Sequence, residues 1–222
     1  MKKDLWVVIP GYNEESHIEE VVRRAKKHTS HTVVVDDGSI DKTSETAERQ
    51  DVHVLRHIIN LGKGAAAKTG CDYAFSHGAG IMMVIDADGQ HNPDDIPRFV
   101  QALQGVDMVF GYRKFSKNMP FLLRFGNRFI NRMTKLLFRM DLKDTQCGYR
   151  AFSSDAYKKI RWRASDYFME SEMIANAGKH RLKYKEIPIE TVYSNKYKGT
   201  TVMDGVKIVF NMLLWKLRMR NF

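Results

Sequence analysis

At 222 residues, 43% hydrophobic and 28% charged, the chain is long enough for one sizeable α/β domain and too apolar for a disordered segment. Its two cysteines, Cys71 and Cys147, make neither a disulfide framework nor a metal-ligand spacing, which favours a reducing, cytoplasmic setting. The formal net charge of +10 is unevenly placed: residues 1–106 carry 12 Lys/Arg against 16 Asp/Glu, residues 107–163 carry 14 against 4, and the last 59 carry 10 against 6. No window reaches the roughly 18 uninterrupted apolar residues of a membrane span, and the start, MKKDLWVVIPGYNEE, runs into a strand without a signal-peptide pattern.

The first half alternates short β-branched runs with amphipathic stretches. LWVVIP predicts a strand and NEESHIEEVVRRAKKH a helix; TVVVDD predicts a second strand and DKTSETAERQ a helix with Asp41 at its N-cap. VHVLRH is a third strand, followed by a helix over GKGAAAKTGCDYAFSHG. IMMVID is a fourth strand, and NPDDIPRFVQAL starts a helix at Asn92-Pro93. DMVFGYR gives a fifth strand. Continuous apolar strands alternating with helices predict an α/β fold with a mostly parallel sheet flanked by helices, in which ligands bind beyond the carboxyl ends of the strands.

Polar residues gather at those ends. Pro10, Tyr12 and Glu14 follow the first strand, Asp36 and Asp37 end the second, Asp86 and Asp88 the fourth, and Arg113 the fifth. Two carboxylates two residues apart after a buried strand suit a single hard cation such as Mg²⁺ or Mn²⁺, with Gln90 as a further oxygen. Asp94 and Asp95 have the simpler task of favouring the next helix N-terminus. The NLGKGAAAKTG segment has no Walker A spacing; its glycines fit a tight turn and a close helix–sheet approach, and Lys63 either reaches phosphate or is solvated. His91 is expected to support the acidic turn rather than to ligate.

PGYNE, VVVDDGSIDKT, NLGKGAAAKTG, DADGQHNPDDIP and DTQCGYRAF, in that order, resemble the inverting glycosyltransferases of family 2, and more narrowly the dolichyl-phosphate mannosyltransferases and related polyprenyl-phosphate glycosyltransferases. The resemblance spans about residues 5–195 and implies the Rossmann-like, nucleotide-sugar-binding GT-A fold. It implies that Pro10, Tyr12, Glu14, Val35 and Asp37 line the nucleotide pocket, and that Asp86, Ala87, Asp88 and Gln90 hold the metal and donor diphosphate. Arg113 and Arg124 would face the lipid phosphate, while Asp144, Gln146 and Arg150 shape the acceptor side; Glu172 occupies a familiar acidic position. Lys196 or Lys198 would stand in for a Ser-Lys pair that relatives carry in a basic loop over the donor. The expected catalytic set is Asp88, Arg113 and Arg124, the cofactor Mg²⁺ or Mn²⁺, and the donor a GDP- or UDP-linked sugar carrying mannose, glucose or N-acetylglucosamine. The acceptor would be dolichyl or polyprenyl phosphate, with a saccharide or protein acceptor as the alternative.

Residues 120–140 show apolar positions (Phe125, Phe129, Met133, Leu136, Met140) and basic ones (Arg124, Arg128, Arg132, Lys135, Arg139) at helical spacing. Such a helix suits an anionic membrane interface, or packs its apolar face on the core. The expected organisation is a catalytic domain over 1–200 containing this helix, and an amphipathic helix over 201–222 suited to subunit contact, as in a homo-oligomer, or to shallow membrane insertion. Together these features place the chain on the cytoplasmic face of the membrane as a peripheral protein. Nucleic-acid binding is not expected, because no nucleic-acid module is present and the acidic rim would repel phosphate without a metal.

Overall fold

The computed structural model describes residues 4–113, 121–166, 168–190 and 216, and of 121–127 the helical backbone alone. Seven strands form one sheet: β1 (Leu5–Gly11), β2 (His31–Asp36), β3 (His53–Arg56), β4 (Ile81–Val84), β5 (Met108–Arg113), β6 (Arg150–Ser153) and β7 (Tyr184–Ile189). The helices are α1 (Ile18–Ala25), α2 (Thr43–Glu48), α3 (Lys63–Ser76), α4 (Ile96–Ala102), α5 (Phe121–Phe138), α6 (Ser154–Ile160) and α7 (Met169–Lys179).

The strand order is β3-β2-β1-β4-β6-β5-β7. All neighbours are parallel except β6, which runs antiparallel to both β4 and β5. The order reverses at β1: the chain first moves outward to β2 and β3, then returns to place β4 on the other side. The crevice beyond the carboxyl ends of β1 and β4 is therefore where a ligand is expected. Because β6 is inverted, it is its beginning that reaches this same rim.

Burial on both faces explains the apolar strands. Along β1, Trp6 and Val8 face the cluster formed with α3, α5, α6 and α7, whereas Val7 and Ile9 face the cluster with α1, α2 and α4. Gly70 lets α3 press onto the sheet, since a Cβ there would run into Val8 and Val35. That is the close helix approach expected of the glycines in this segment.

The helices are shorter than the sequence reading, with α1 starting at Ile18 and α3 ending at Ser76. Asp41 is not the N-cap of α2. Lys42 holds that position, and Asp41 Oδ1 instead accepts from the Thr43 backbone N–H at 3.0 Å and its hydroxyl at 2.5 Å. Asn92 caps as expected, accepting from Asp94 N–H at 3.1 Å ahead of the 3-10 turn Pro93–Asp95 that leads into α4. On α5 the buried residues are Ile130, Thr134 and Phe138, one turn apart, with Met133 of the expected stripe and Leu137 half-buried against the same core and Met140 buried just beyond the helix. Phe129 and Leu136, expected on the apolar stripe, are instead 48% and 74% exposed beside Arg128, Arg132, Lys135 and Arg139. The expected helix over 201–222 lies outside the described residues.

Candidate active site

The segment after β4 forms the floor of the crevice. Ile85 and Ala87 point into the core, so Asp86 and Asp88 alternate outward. Gly89 turns the chain with φ 73°, and Gln90 N–H then donates to Asp88 Oδ1 at 3.0 Å. Asp86 N–H donates to His91 Nδ1 at 3.2 Å, with the imidazole buried and stacked on Tyr149 at 5.0 Å between ring centroids. His91 thus supports the turn as expected, and burial pushes its pKa down, toward the neutral ring.

The two carboxylates are driven apart in acidity. Burial pushes Asp86 up, but Lys63, with Arg113 adding to the positive field, outweighs it and holds Asp86 at about 2. Asp88 is pushed up by burial and by the charge of Asp86. Lys63 Nζ lies 2.7 Å from Asp86 Oδ1 and 3.3 Å from Glu170 Oε1. Even so, Asp86 Oδ1 is buried without a properly directed hydrogen bond, and Glu170 Oε2 has none either. Beside this cluster runs Gly148, at the entry to β6, where a Cβ would come within 2.8 Å of Lys63 Nζ and 2.9 and 3.0 Å of the Asp86 oxygens.

This donor set fits a divalent cation. Asp86 offers an ionised carboxylate whose buried Oδ1 lacks a well-directed hydrogen bond, Asp88 a carboxylate raised by burial and by like-charge repulsion that a cation relieves, and Gln90 follows on the same turn. Among the described residues no group of three His, Cys, Asp or Glu could hold a metal alone. Such a site completes its coordination with water and substrate phosphate, as Mg²⁺ and Mn²⁺ sites commonly do.

On the other side of the crevice, Arg113 at the end of β5 is clamped by Asp144. Its Nε donates to Oδ2 at 2.7 Å and its Nη2 to Oδ1 at 3.0 Å, with Asp144 2% exposed. Gln146 N–H donates to Asp144 Oδ1 at 3.2 Å and its amide to Ser171 Oγ at 3.3 Å.

Several residues expected to touch substrate have other duties. Arg150 is fully buried, and its guanidinium donates to the carbonyls of Cys147, Glu170 and Thr145 at 2.8 to 2.9 Å, so it frames the 144–150 segment instead of facing an acceptor. Val35 is 0% exposed and packs under α3. Asp37 is also buried; it accepts from Leu61 N–H at 3.0 Å and Gly62 N–H at 2.8 Å and pairs with His57 at 2.7 Å, building the loop into α3. Tyr12 is open, at 41% exposure, while Pro10 and Ala87 are buried at the crevice floor. Glu14 is buried beside His17, with its N–H donating to Thr43 at 2.8 Å.

Glu172 does not enter the site either: its Oε2 accepts from Arg163 and Ala164 N–H, both at 2.9 Å. The acid of MESEM that reaches the cluster is Glu170, which was missed. Its signal was available in the helical phase, since Glu170 lies in register with Met173, Ile174 and Ala177, all buried, whereas Glu172 aligns with the less buried Asn176. The Arg124 side chain, Lys196 and Lys198 lie outside the described residues.

A mostly parallel sheet that reverses at β1, with an acid pair beyond β4 and a clamped arginine beyond β5, is the framework of a glycosyltransferase of the GT-A type. The chain belongs to glycosyl transferase family 2, whose description it matches over residues 6–161. It is 36% identical to the UDP-N-acetylglucosamine–dolichyl-phosphate N-acetylglucosaminyltransferase of Methanococcus voltae, over 97% of both chains. It is 28% identical to the polyprenol monophosphomannose synthase of Mycolicibacterium smegmatis, over 96% of this chain and 87% of that one. The fold is shared with glucosyl-3-phosphoglycerate synthase from Mycobacterium tuberculosis, solved with Mn²⁺, uridine diphosphate and phosphoglyceric acid: TM-score 0.76 at 18% identity, over 97% of this chain and 78% of that one.

Proposed function

We propose that this glycosyltransferase moves a sugar from a nucleoside-diphosphate donor to a polyprenyl (dolichyl-type) phosphate, with Mg²⁺ or Mn²⁺, at a membrane surface. The observation that carries this reading is Arg113, oriented by a buried carboxylate on the rim that also bears Asp86 and Asp88. An acceptor hydroxyl needs a general base, whereas a phosphate monoester, with a second pKa of about 6, is already largely ionised at neutral pH and needs a cation to align it. A guanidinium fixed in its plane suits that task. The names of the relatives, a dolichyl-phosphate N-acetylglucosaminyltransferase and a polyprenol monophosphomannose synthase, agree with it.

In this scheme Asp86, Asp88 and Gln90 hold the metal, and Pro10, Tyr12 and Glu14 border the donor. When bound, the metal supplies positive charge to the departing diphosphate. Arg113, with Arg124, directs an acceptor phosphate oxygen at the anomeric carbon. The new bond forms there as the bond from that carbon to the donor's β-phosphate oxygen breaks, so a single in-line displacement inverts the centre. Asp144 keeps Arg113 in place, and Lys196 or Lys198 is assigned to the donor diphosphate. The exposed face of α5, with Arg128, Arg132, Lys135 and Arg139 around Phe129 and Leu136, supports contact with an anionic membrane, and among the described residues no helix is long and apolar enough to cross one.

The test is transfer from radiolabelled GDP- and UDP-sugars to a short polyprenyl phosphate, with Mn²⁺ and with chelator. Metal-dependent labelling of the lipid from one donor is the expected result and names the sugar. Metal-dependent nucleotide binding without lipid labelling from any donor would assign a saccharide or protein acceptor instead.

A further inference from the structure

In the cluster around Lys63 one ammonium stands between two carboxylates, that of Asp86, which is half-buried, and that of Glu170, which is buried. Its Nζ is 2.7 Å from Asp86 Oδ1 and 3.3 Å from Glu170 Oε1. Asp86 Oδ1 and Glu170 Oε2 are both buried without a well-directed hydrogen bond. Glu170 is fixed where it is: it stands in the first turn of α7, its side chain is 3% exposed, and its own carbonyl accepts from Arg150 at 2.8 Å. Lys63, by contrast, is the first residue of α3 and swings on a four-carbon stem. Gly148 leaves the space beside Nζ open.

Two seats for one ammonium, one of them on an expected metal ligand, amount to an exchange device. We propose that Lys63 is a built-in placeholder for the divalent cation: it neutralises Asp86 when no metal is bound and moves onto Glu170 when the metal takes Asp86. This rests on Asp86 being a metal ligand, as read above. Both carboxylates already lie within reach of the same nitrogen, so the shift needs only rotation of the outer lysine torsions. The placeholder offsets the mutual repulsion of Asp86 and Asp88, both half-buried, in the empty enzyme. Glu170 is then a positioning residue that sets metal affinity without touching the metal, because it decides how readily Lys63 leaves.

The test reads metal binding directly: free Mn²⁺ measured by electron paramagnetic resonance during titration of the full chain with UDP present. Lys63→Met removes the competitor and is expected to tighten Mn²⁺ binding. Glu170→Gln removes the second seat, leaves Lys63 on Asp86, and is expected to weaken binding by about tenfold, the scale of outer-shell effects on metal sites. The double variant is expected to bind as tightly as Lys63→Met alone. If it retains the weakening of Glu170→Gln, Glu170 acts on the metal directly and the proposal is overturned; equal affinities in all four proteins overturn it too. Glu170→Asp, a smaller perturbation should Glu170→Gln not fold, is expected to weaken binding in the same direction. Asp86→Asn separates the two ideas: if it leaves Mn²⁺ binding unchanged, the metal site itself is misassigned, whereas loss of binding there with no effect at Lys63 and Glu170 refutes the placeholder alone.

Discussion

Arg113 and Asp144 meet in a two-point clamp, Nε to Oδ2 at 2.7 Å and Nη2 to Oδ1 at 3.0 Å, with the carboxylate buried and the Arg113 side chain 27% exposed. The clamp joins the end of β5 to the loop that enters β6, two segments that run in opposite directions through the sheet.

Asp144→Asn keeps the shape but removes the charge that fixes the guanidinium plane. Loss of a charge-assisted pair of this kind corresponds to roughly 1.5–3 kcal/mol, or about ten- to a hundredfold, and the loss is expected in kcal terms on the acceptor side. Steady-state kinetics should show a raised KM for polyprenyl phosphate, with nucleotide affinity in the presence of Mn²⁺ unchanged.

Gly148→Ala places a methyl group within 3.0 Å of the Asp86 carboxylate and Lys63 Nζ. Because the atoms it meets are side-chain ends, the fold should survive with a small change in Tm, while metal-dependent nucleotide binding falls by about tenfold or more, as for other disturbances beside a metal site. Calorimetry of melting together with titration of Mn²⁺ and UDP separates the two effects.

Asp72 ties α3 to α6. It accepts from Tyr157 at 2.5 Å and pairs with Lys68 and Arg161, both at 2.7 Å. Burial pushes its pKa up, but the bonds from Arg161, Lys68 and Tyr157 outweigh it and leave the folded value below the ordinary one. A depressed carboxylate contributes stability above its unfolded pKa, about 3.9, and loses it as pH falls through the folded value. Asp72→Asn is therefore expected to be about 1 kcal/mol less stable at pH 7, discounted for solvent screening, with the difference shrinking below about pH 4. Urea melts at a series of pH values test this.

Both thiols are buried in the sheet's packing, and burial pushes Cys147 up to about 12 and Cys71 higher still. Neither is expected to react with a thiol-specific reagent at pH 8 in the native state, and both are expected to react in denaturant. Mass spectrometry after a timed exposure to iodoacetamide gives the count.

The first five strands were legible because burial on both faces leaves a continuous apolar run, as in VVV of β2 and IMMV of β4. Asp86 and Asp88 were legible because their arrangement is local, set by one strand and one turn. β6 was read only as a motif, since RAFS is four residues long and opens on an arginine whose burial is made tolerable by three carbonyls from elsewhere. The burial of Val35 and the loop contacts of Asp37 were not legible for a related reason: sequence shows that a residue ends a strand, but not which side of the sheet it faces or which loop claims its oxygens. Glu170 and Lys63 meet only through the packing of α3 and α7, which no spacing within either helix announces.

The inverted β6 also constrains the order in which the molecule can be assembled. β5 leaves the ribosome before β6, yet lies beyond it, so β4 and β5 must wait on either side of a strand-wide gap until residue 150 has been made. Until then β4 presents a bare, apolar edge, and Asp86 lacks the glycine that shapes its surroundings. A chain arrested before β6 is therefore expected to associate through that edge and to be left without a nucleotide site, even though every acid of the DADGQ turn is already present.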